Sequence, residues 1–148
     1  LGKDPDVKIL ALLIVIFLGL AGCIRLAPSS QSRWHHLAEG LKFPPTGQVG
    51  TLQGGAVLRL DGGAEVLAAL EGVATATPRT QVLAGSVAEG RITWVTRSVL
   101  WGFPDYTTAE LRADGVYLHA RLRFGSSDFG VNAARLRAWV EALRGLDQ

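Results

Sequence analysis

The stretch PDYTTAELRADGVYLHARLRFGSSDFGVNAARLRAWVEALR (Pro104–Arg144) decides the fold. Asp114-Gly115 stands between two alternating runs, the strongest short-range sign of a hairpin, because both central residues of a type I′ turn need φ > 0. Beyond it Val116, Leu118, Ala120, Leu122 and Phe124 share one face, and Tyr117, His119, Arg121 and Arg123 the other. That is the period-2 pattern of a sheet buried on one side. A two-residue loop sets Ala113 opposite Val116, hence Arg112 opposite Tyr117, Leu111 opposite Leu118, Glu110 opposite His119 and Ala109 opposite Ala120. Apolar then meets apolar and polar meets polar. Gly125-Ser126-Ser127-Asp128-Phe129-Gly130 follows as a turn, and Ser127, Asp128 and Asn132 can cap the free amides of a helix. In that helix Leu136, Trp139, Val140 and Leu143 form one apolar stripe, with Arg135, Arg137, Glu141 and Arg144 off it.

Upstream, Ala56–Leu60 reads as a strand, Asp61 as a helix cap, and Val66, Leu67, Leu70, Val73 and Ala74 as the buried stripe of that helix. Pro78 ends it. Arg79–Val87 and Arg91–Leu100 read as strands joined around Ala88-Glu89-Gly90, and Trp101-Gly102-Phe103-Pro104 interrupts the ladder. Strand, helix, four strands, helix predicts an α+β domain over 56–148, an antiparallel sheet with two helices on one face. The order is similar to TATA-binding-protein-like folds, a likeness of topology that carries nothing about DNA. Because the helices cover one face only, Arg97, Glu110, Arg112, Tyr117, His119, Arg121 and Arg123 are expected to line an open one. A solvated sheet face accounts for them. A recognition surface for an acidic protein patch or anionic lipid headgroups would use the same residues, since guanidinium grips oxyanions in a fork.

Residues 1–27 read as a membrane anchor. ILALLIVIFLGLAGCI (Ile9–Ile24) lies between Lys8 and Arg25, short against the ~20 residues a bilayer needs but extended by snorkelling of both cations. It is also well sized for a secretion signal, and Leu20-Ala21-Gly22-Cys23 has the form of a lipobox with Cys23 as the lipidated residue. Asp4 and Asp6 sit badly in a positive leader, so an uncleaved single-pass helix is expected, with Cys23 an apolar residue inside it. The chain has no methionine, and Leu1 is not expected to be the translation start. Lys3 and Lys8 precede the span and Arg25, Arg33 and Lys42 follow it, a count that leans against export. Residues 28–55 read as a juxtamembrane linker punctuated by Pro28, Pro44 and Pro45. Arg25 and Trp34 are expected at the membrane interface, and Thr46–Gly55 is expected to be irregular. His35-His36 lacks the companions a metal needs.

Net charge +2 and a pI near 9.0 are too mild to argue for nucleic acid. One cysteine excludes an intrachain disulfide and a Cys-based zinc cage. Gly62-Gly63 belongs to no phosphate-loop pattern, so nucleotide binding is rejected. Glu110 and His119 read as a cross-strand pair, Ser126 and Ser127 lack a Gly-x-Ser-x-Gly turn, and Asp105, Asp128 and Asn132 fit no calcium-loop spacing. No cofactor, metal or reaction is expected. An uncharacterised hydrolase is the catalytic alternative.

SVLWGFPDY (98–106) together with HARLRFGSSDFGVNAARLRAWVEAL (119–143) resembles the domain of unknown function 1499 family, in which Arg-Ser-x-Ser-Arg-x-Gly-x-Ser-Asp-x-Gly-x-Asn precedes a basic helix. Arg123, Gly125, Ser127, Asp128, Gly130, Asn132 and Arg135 match that pattern, and Phe103 and Asp105 match its upstream Phe-x-Asp. Ala120 and Leu122 stand where the pattern has serines, His119 where it has its first Arg, and an amino-terminal Asn-Cys-Val-Ser-Ser has no counterpart. The resemblance implies a fold and an exported compartment, and no reaction. With the anchor, it leads us to expect a non-catalytic accessory module on the periplasmic side of a bacterial inner membrane, attached to an integral membrane complex. Gly19, Ala21 and Gly22 would admit a partner helix closely. The alternative is an envelope lipoprotein anchored through Cys23.

Overall fold

The computed structural model describes residues 4–146; Leu1, and Lys3 ahead of the apolar segment, lie outside them. Helix α1 (Pro5–Leu26) opens with Asp4 as its cap, accepting from the Asp6 amide at 3.0 Å, and with Pro5 in the first turn, where its missing N–H costs nothing. The two aspartates that fit a leader poorly are thus helix-start residues, Asp6 lying at the positive end of the dipole and Arg25 at the negative end. No residue of α1 is buried. The single turn α2 (Gln31–Trp34) follows, then β1 (Val49–Leu52), β2 (Gly55–Leu60), α3 (Ala64–Ala76), β3 (Thr80–Ser86), β4 (Arg91–Arg97), β5 (Pro104–Arg112), β6 (Gly115–Leu122) and α4 (Val131–Leu146).

The strands form one antiparallel sheet in the order β1-β2-β6-β5-β4-β3, the α+β architecture expected, with one strand more. That strand, β1, pairs with β2 through a two-residue Gln53-Gly54 loop, so part of Thr46–Gly55 is sheet and not irregular. Pro104 opens β5, the position in a strand where a missing donor is tolerated. Asp61 does not cap α3. The cap is Gly63, whose amide donates to the Glu65 carboxylate reaching back at 2.7 Å, while the Asp61 amide donates to Thr46 Oγ1.

The β5–β6 hairpin differs from its sequence reading in register. Arg112 pairs with Gly115, Leu111 with Val116, Glu110 with Tyr117 and Thr108 with His119, a slide of two residues. An even slide keeps every side chain on its face, so inside and outside were read correctly although each partner was not. Ala113 and Asp114 form the loop and neither has positive φ. Gly115 is required because a Cβ there would meet the Leu60 carbonyl of β2.

On one face α3 and α4 pack against the sheet. Leu67, Leu70 and Ala74 of α3 and Ala133, Leu136, Trp139 and Val140 of α4 meet Ala56, Leu58, Ile92, Trp94, Ala109, Val116, Leu118 and Ala120. Trp94 and Trp139 contact edge to face at 5.6 Å, and the Trp139 indole N–H donates to Thr77 Oγ1. The reverse face is not open. Residues 27–45 run across it as a strap, and a second core forms there from Trp34, Val95 and Tyr106, with Leu83 against it. Trp34 stacks on Tyr106 at 4.1 Å and is 7% exposed, Phe43 meets Tyr117 edge to face at 4.8 Å, and Leu37 is buried. Trp34 is therefore a core residue and not an interfacial one. The strap is held by aromatic stacking and by side chains bonding its backbone, so removing its largest anchor should free it. Trp34→Ala is expected to speed tryptic cleavage after the exposed Arg33 and Lys42 at least severalfold while α3 and α4 stay protected. Mass spectrometry of timed digests checks this, and an unchanged rate would mean the strap is held without Trp34.

Candidate functional site

On the reverse face Arg121 and Arg123 are committed to the strap. Arg121 donates to the Trp34 and His36 carbonyls, both at 2.9 Å, with its guanidinium 5.1 Å from the Trp34 ring centroid. Arg123 donates to the Pro28 carbonyl at 2.9 Å and to the Tyr106 hydroxyl at 3.2 Å, while Ser29 bonds that hydroxyl at 2.6 Å. Arg97 donates to the Arg25 carbonyl at 3.0 Å and to Gly102 at 2.9 Å. Arg112 remains exposed, its Nε 3.0 Å from Glu110, which Arg91 also holds at 2.8 Å. For Arg97, Arg121 and Arg123 the expectation that they face solvent or an acidic partner is corrected: carbonyl oxygens of the chain itself take their guanidinium donors. Glu110 is bound by two arginines, and burial, which alone would raise its pKa, is outweighed by Arg112 and Arg91. It does not pair with His119, a consequence of the register.

A directed chain of hydroxyls fastens the strap's centre. Thr108 donates to the Trp34 carbonyl at 2.9 Å, so Thr93, at 2.9 Å, donates to Thr108, and His35 Nδ1, at 2.9 Å from Thr93, is the donor that starts the relay. Burial, and then Arg91, lower the His35 pKa, and the Nδ1 proton is present in either charge state. His119 lies beneath this layer between Val57 and Thr108 on the flanking strands, 7% exposed, with no partner for Nδ1 among the described residues. Burial, then Arg121 and His36, push its pKa down to about 4.

Of the motif residues Arg123 serves the strap, and Asp105, Asn132 and Arg135 meet on the other face. Asp105 points to the helix side of β5, where the start of α4 arrives. Asn132, fully buried, donates to the Asp105 carboxylate at 3.1 Å and accepts from Arg135 at 2.7 Å, and Arg135 approaches the same carboxylate oxygen at 3.5 Å. Asp128 receives the Gly130 and Asn132 amides at 3.1 and 2.9 Å and so starts α4. Ser127 Oγ accepts the Phe129 amide at 3.2 Å. Gly130 has φ 79, and Phe129, 94% exposed, has φ 51. Gly125, at φ 97, takes the backbone out of β6. Burial raises the Asp105 pKa despite Arg135 and Asn132, and burial lowers that of Arg135 despite Asp105. On both partners desolvation outruns attraction, as a single 3.5 Å contact leads one to expect. The cation held by Asp105 and Asn132 is thus a guanidinium. Among the described residues no group of three or more His, Cys, Asp or Glu is gathered.

Sequence patterning found the motif residues and their two elements, but not the knot that joins Asp105 to residues 27 and 30 positions later. Nor did it find the strap, whose signal was two aromatics, Trp34 and Phe43, in a polar stretch.

Residues 55–143, more than half of the 148, match the family described as protein of unknown function (DUF1499). The chain belongs to the DUF1499 family. No curated protein and no solved structure matches it. The DUF1499 match begins at the first residue of β2 and ends within α4, and so contains the Asp105–Asn132–Arg135 knot. α1, the strap and β1 lie outside it.

Two outcomes follow from these geometries. Folded His119 takes its proton near pH 4 and unfolded His119 near 6.5, so the unfolded chain binds more protons between those values and stability falls as pH falls through them. From pH 7 to 5 urea unfolding should lose about 2 kcal/mol, and His119→Leu should remove most of that loss. Asn132→Ala leaves Asp105 and Arg135 without their buried bridge and should cost about 2–3 kcal/mol at pH 7, read from the urea midpoint. A cost under ~0.5 kcal/mol, typical of surface changes, would mean that the knot carries no stability.

Proposed function

We propose that this DUF1499 chain is a non-catalytic accessory module, held in a bacterial inner membrane by α1 as a single span, with its α+β domain on the periplasmic side and attached to a larger integral membrane complex. The observation that carries the reading is α1 itself. Its 22 residues are long and apolar enough to cross a membrane, and none is buried against the domain. At 1.5 Å per residue the helix is about 33 Å long, the thickness of a hydrocarbon core of about 30 Å. Left in water, each of its exposed Ile, Leu, Val and Phe side chains would forgo on the order of 1 kcal/mol.

Attachment to other membrane helices is supported by Gly19 and Gly22, where a Cβ would meet nothing within 4 Å. A flat, unobstructed helix surface lets a second backbone approach. With Arg121 and Arg123 committed to the strap, an acidic soluble protein is the weaker partner and a membrane-embedded one the stronger. A non-catalytic role is supported by the polar groups, since the knot is satisfied by its own members and, among the described residues, no carboxylate acts on His119. The periplasmic side follows the family resemblance and the signal-like apolar segment.

The test is purification of the full chain from membranes in mild detergent, followed by native electrophoresis. It should migrate with a larger complex, and Gly19→Leu with Gly22→Leu should release it by at least severalfold while thermal unfolding of the domain is unchanged. A chain that migrates alone would sink the accessory reading. Labelling with a radioactive fatty acid separates the lipoprotein alternative, for which Cys23, exposed on α1, is the acceptor. No incorporation is expected, and label lost in Cys23→Ser would replace the span with a lipid anchor.

A further inference from the structure

The loop between β4 and β5, residues 98–103, carries SVLWGF, with no charged side chain. Val99 is 80% and Leu100 75% exposed. Adjacent large apolar side chains at a loop tip are ordinarily covered by something, and the fold places that tip against α1. The Trp101 ring meets Phe17 edge to face at 5.1 Å. Phe17 precedes Arg25 by eight residues, about 12 Å along the helix, and helical side chains lean toward the amino terminus, here away from the domain. The Trp101 ring therefore reaches well past the level of Arg25.

Polar groups collect at the other end of the loop. Arg97 bonds the Arg25 and Gly102 carbonyls there, Ser98 and Phe103 exchange backbone and side-chain bonds at 2.9 and 3.0 Å, and the Gly102 amide donates to the Ser98 carbonyl at 3.2 Å. Arg25, Arg79 and Arg97 gather with Ser98, Val99 and Gly102 around one depression, and the Trp101 ring lies beyond it along α1, at Phe17. This is the layering of an interface, where backbone entering hydrocarbon must bond internally and Trp sits between headgroups and chains.

We propose that the β4–β5 loop is a second membrane contact, with Val99, Leu100 and Trp101 entering lipid beside α1 and seating the domain on the bilayer in one orientation. It rests on the reading of α1 as a span. The occupant is lipid because the loop lies against the part of α1 that would itself be in hydrocarbon, and because no charge on it calls for a protein or headgroup partner.

The test uses the full chain with Cys23→Ser, reconstituted in phosphatidylethanolamine–phosphatidylglycerol vesicles and spin-labelled singly at Val99→Cys, Leu100→Cys, Leu13→Cys and Ala88→Cys. Leu13 reports the span, and Ala88, in the turn at the opposite end of β4, reports water. All four positions are exposed, so each variant is expected to fold, which circular dichroism checks. Collision with oxygen relative to a water-soluble nickel chelate should be severalfold higher at Val99 and Leu100 than at Ala88, and close to that at Leu13. Lipid exposure at Leu13 with aqueous values at Val99 and Leu100 overturns the loop contact and leaves the anchor standing. Shielding of the loop from both reagents puts protein on it and overturns lipid as occupant. Aqueous values at Leu13 remove the span, and the loop contact with it.

Discussion

The sheet of this protein has two faces, and the two helices packed against it, α3 and α4, lie on the same side. Closing the reverse side falls to a segment with almost no regular structure, and one contact makes that possible: the Trp34 indole stacked on Tyr106, with its own carbonyl bonded by Thr108 and Arg121. An irregular segment over a sheet brings backbone polar groups that need partners. Thr108 of β5, Arg121 of β6 and Arg123 just beyond it supply them. What looks like a cationic surface when the strands are read alone is therefore the donor side of an interface within the chain, complementary to carbonyl oxygens.

The motif that marks the DUF1499 family has a structural explanation of the same kind. Asp105 at one end of β5 and Asn132 and Arg135 at the start of α4 are tied by a buried amide whose oxygen and nitrogen are both used. Asp128 and Gly130 turn the chain so that Asn132 arrives at the right height. Buried polar knots add little net stability because each group loses its water, yet an unsatisfied one is costly, so the knot rejects alternative placements of α4 against β5.

Much of the architecture was legible in the residues. The alternation in β6 gave its two faces, the stripe in α4 gave its buried side, and Pro104 marked the break before β5. The register of the hairpin was not legible, because alternation fixes a pairing only up to an even slide and the decisive neighbour, the Leu60 carbonyl against Gly115, belongs to a strand fifty-five positions earlier. The strap was illegible for a related reason. Trp34 and Phe43 sit among prolines, serines and histidines with no period, and what orders them is the sheet they land on. The cationic positions were found, and their role was misread, since a sequence does not say whether an arginine will meet a stranger or its own chain.

Fastening residues 27–45 to the sheet also sets how far the domain can travel. Left loose, nineteen residues would extend to about 60 Å and let the domain sweep a wide area around its point of attachment. Spent across the sheet, they leave almost no slack between Leu26 and Arg123, whose guanidinium reaches the Pro28 carbonyl. The domain cannot fish for distant molecules. On the reading of α1 as a span, it meets only what drifts to it in the plane of the membrane, always with the same side forward.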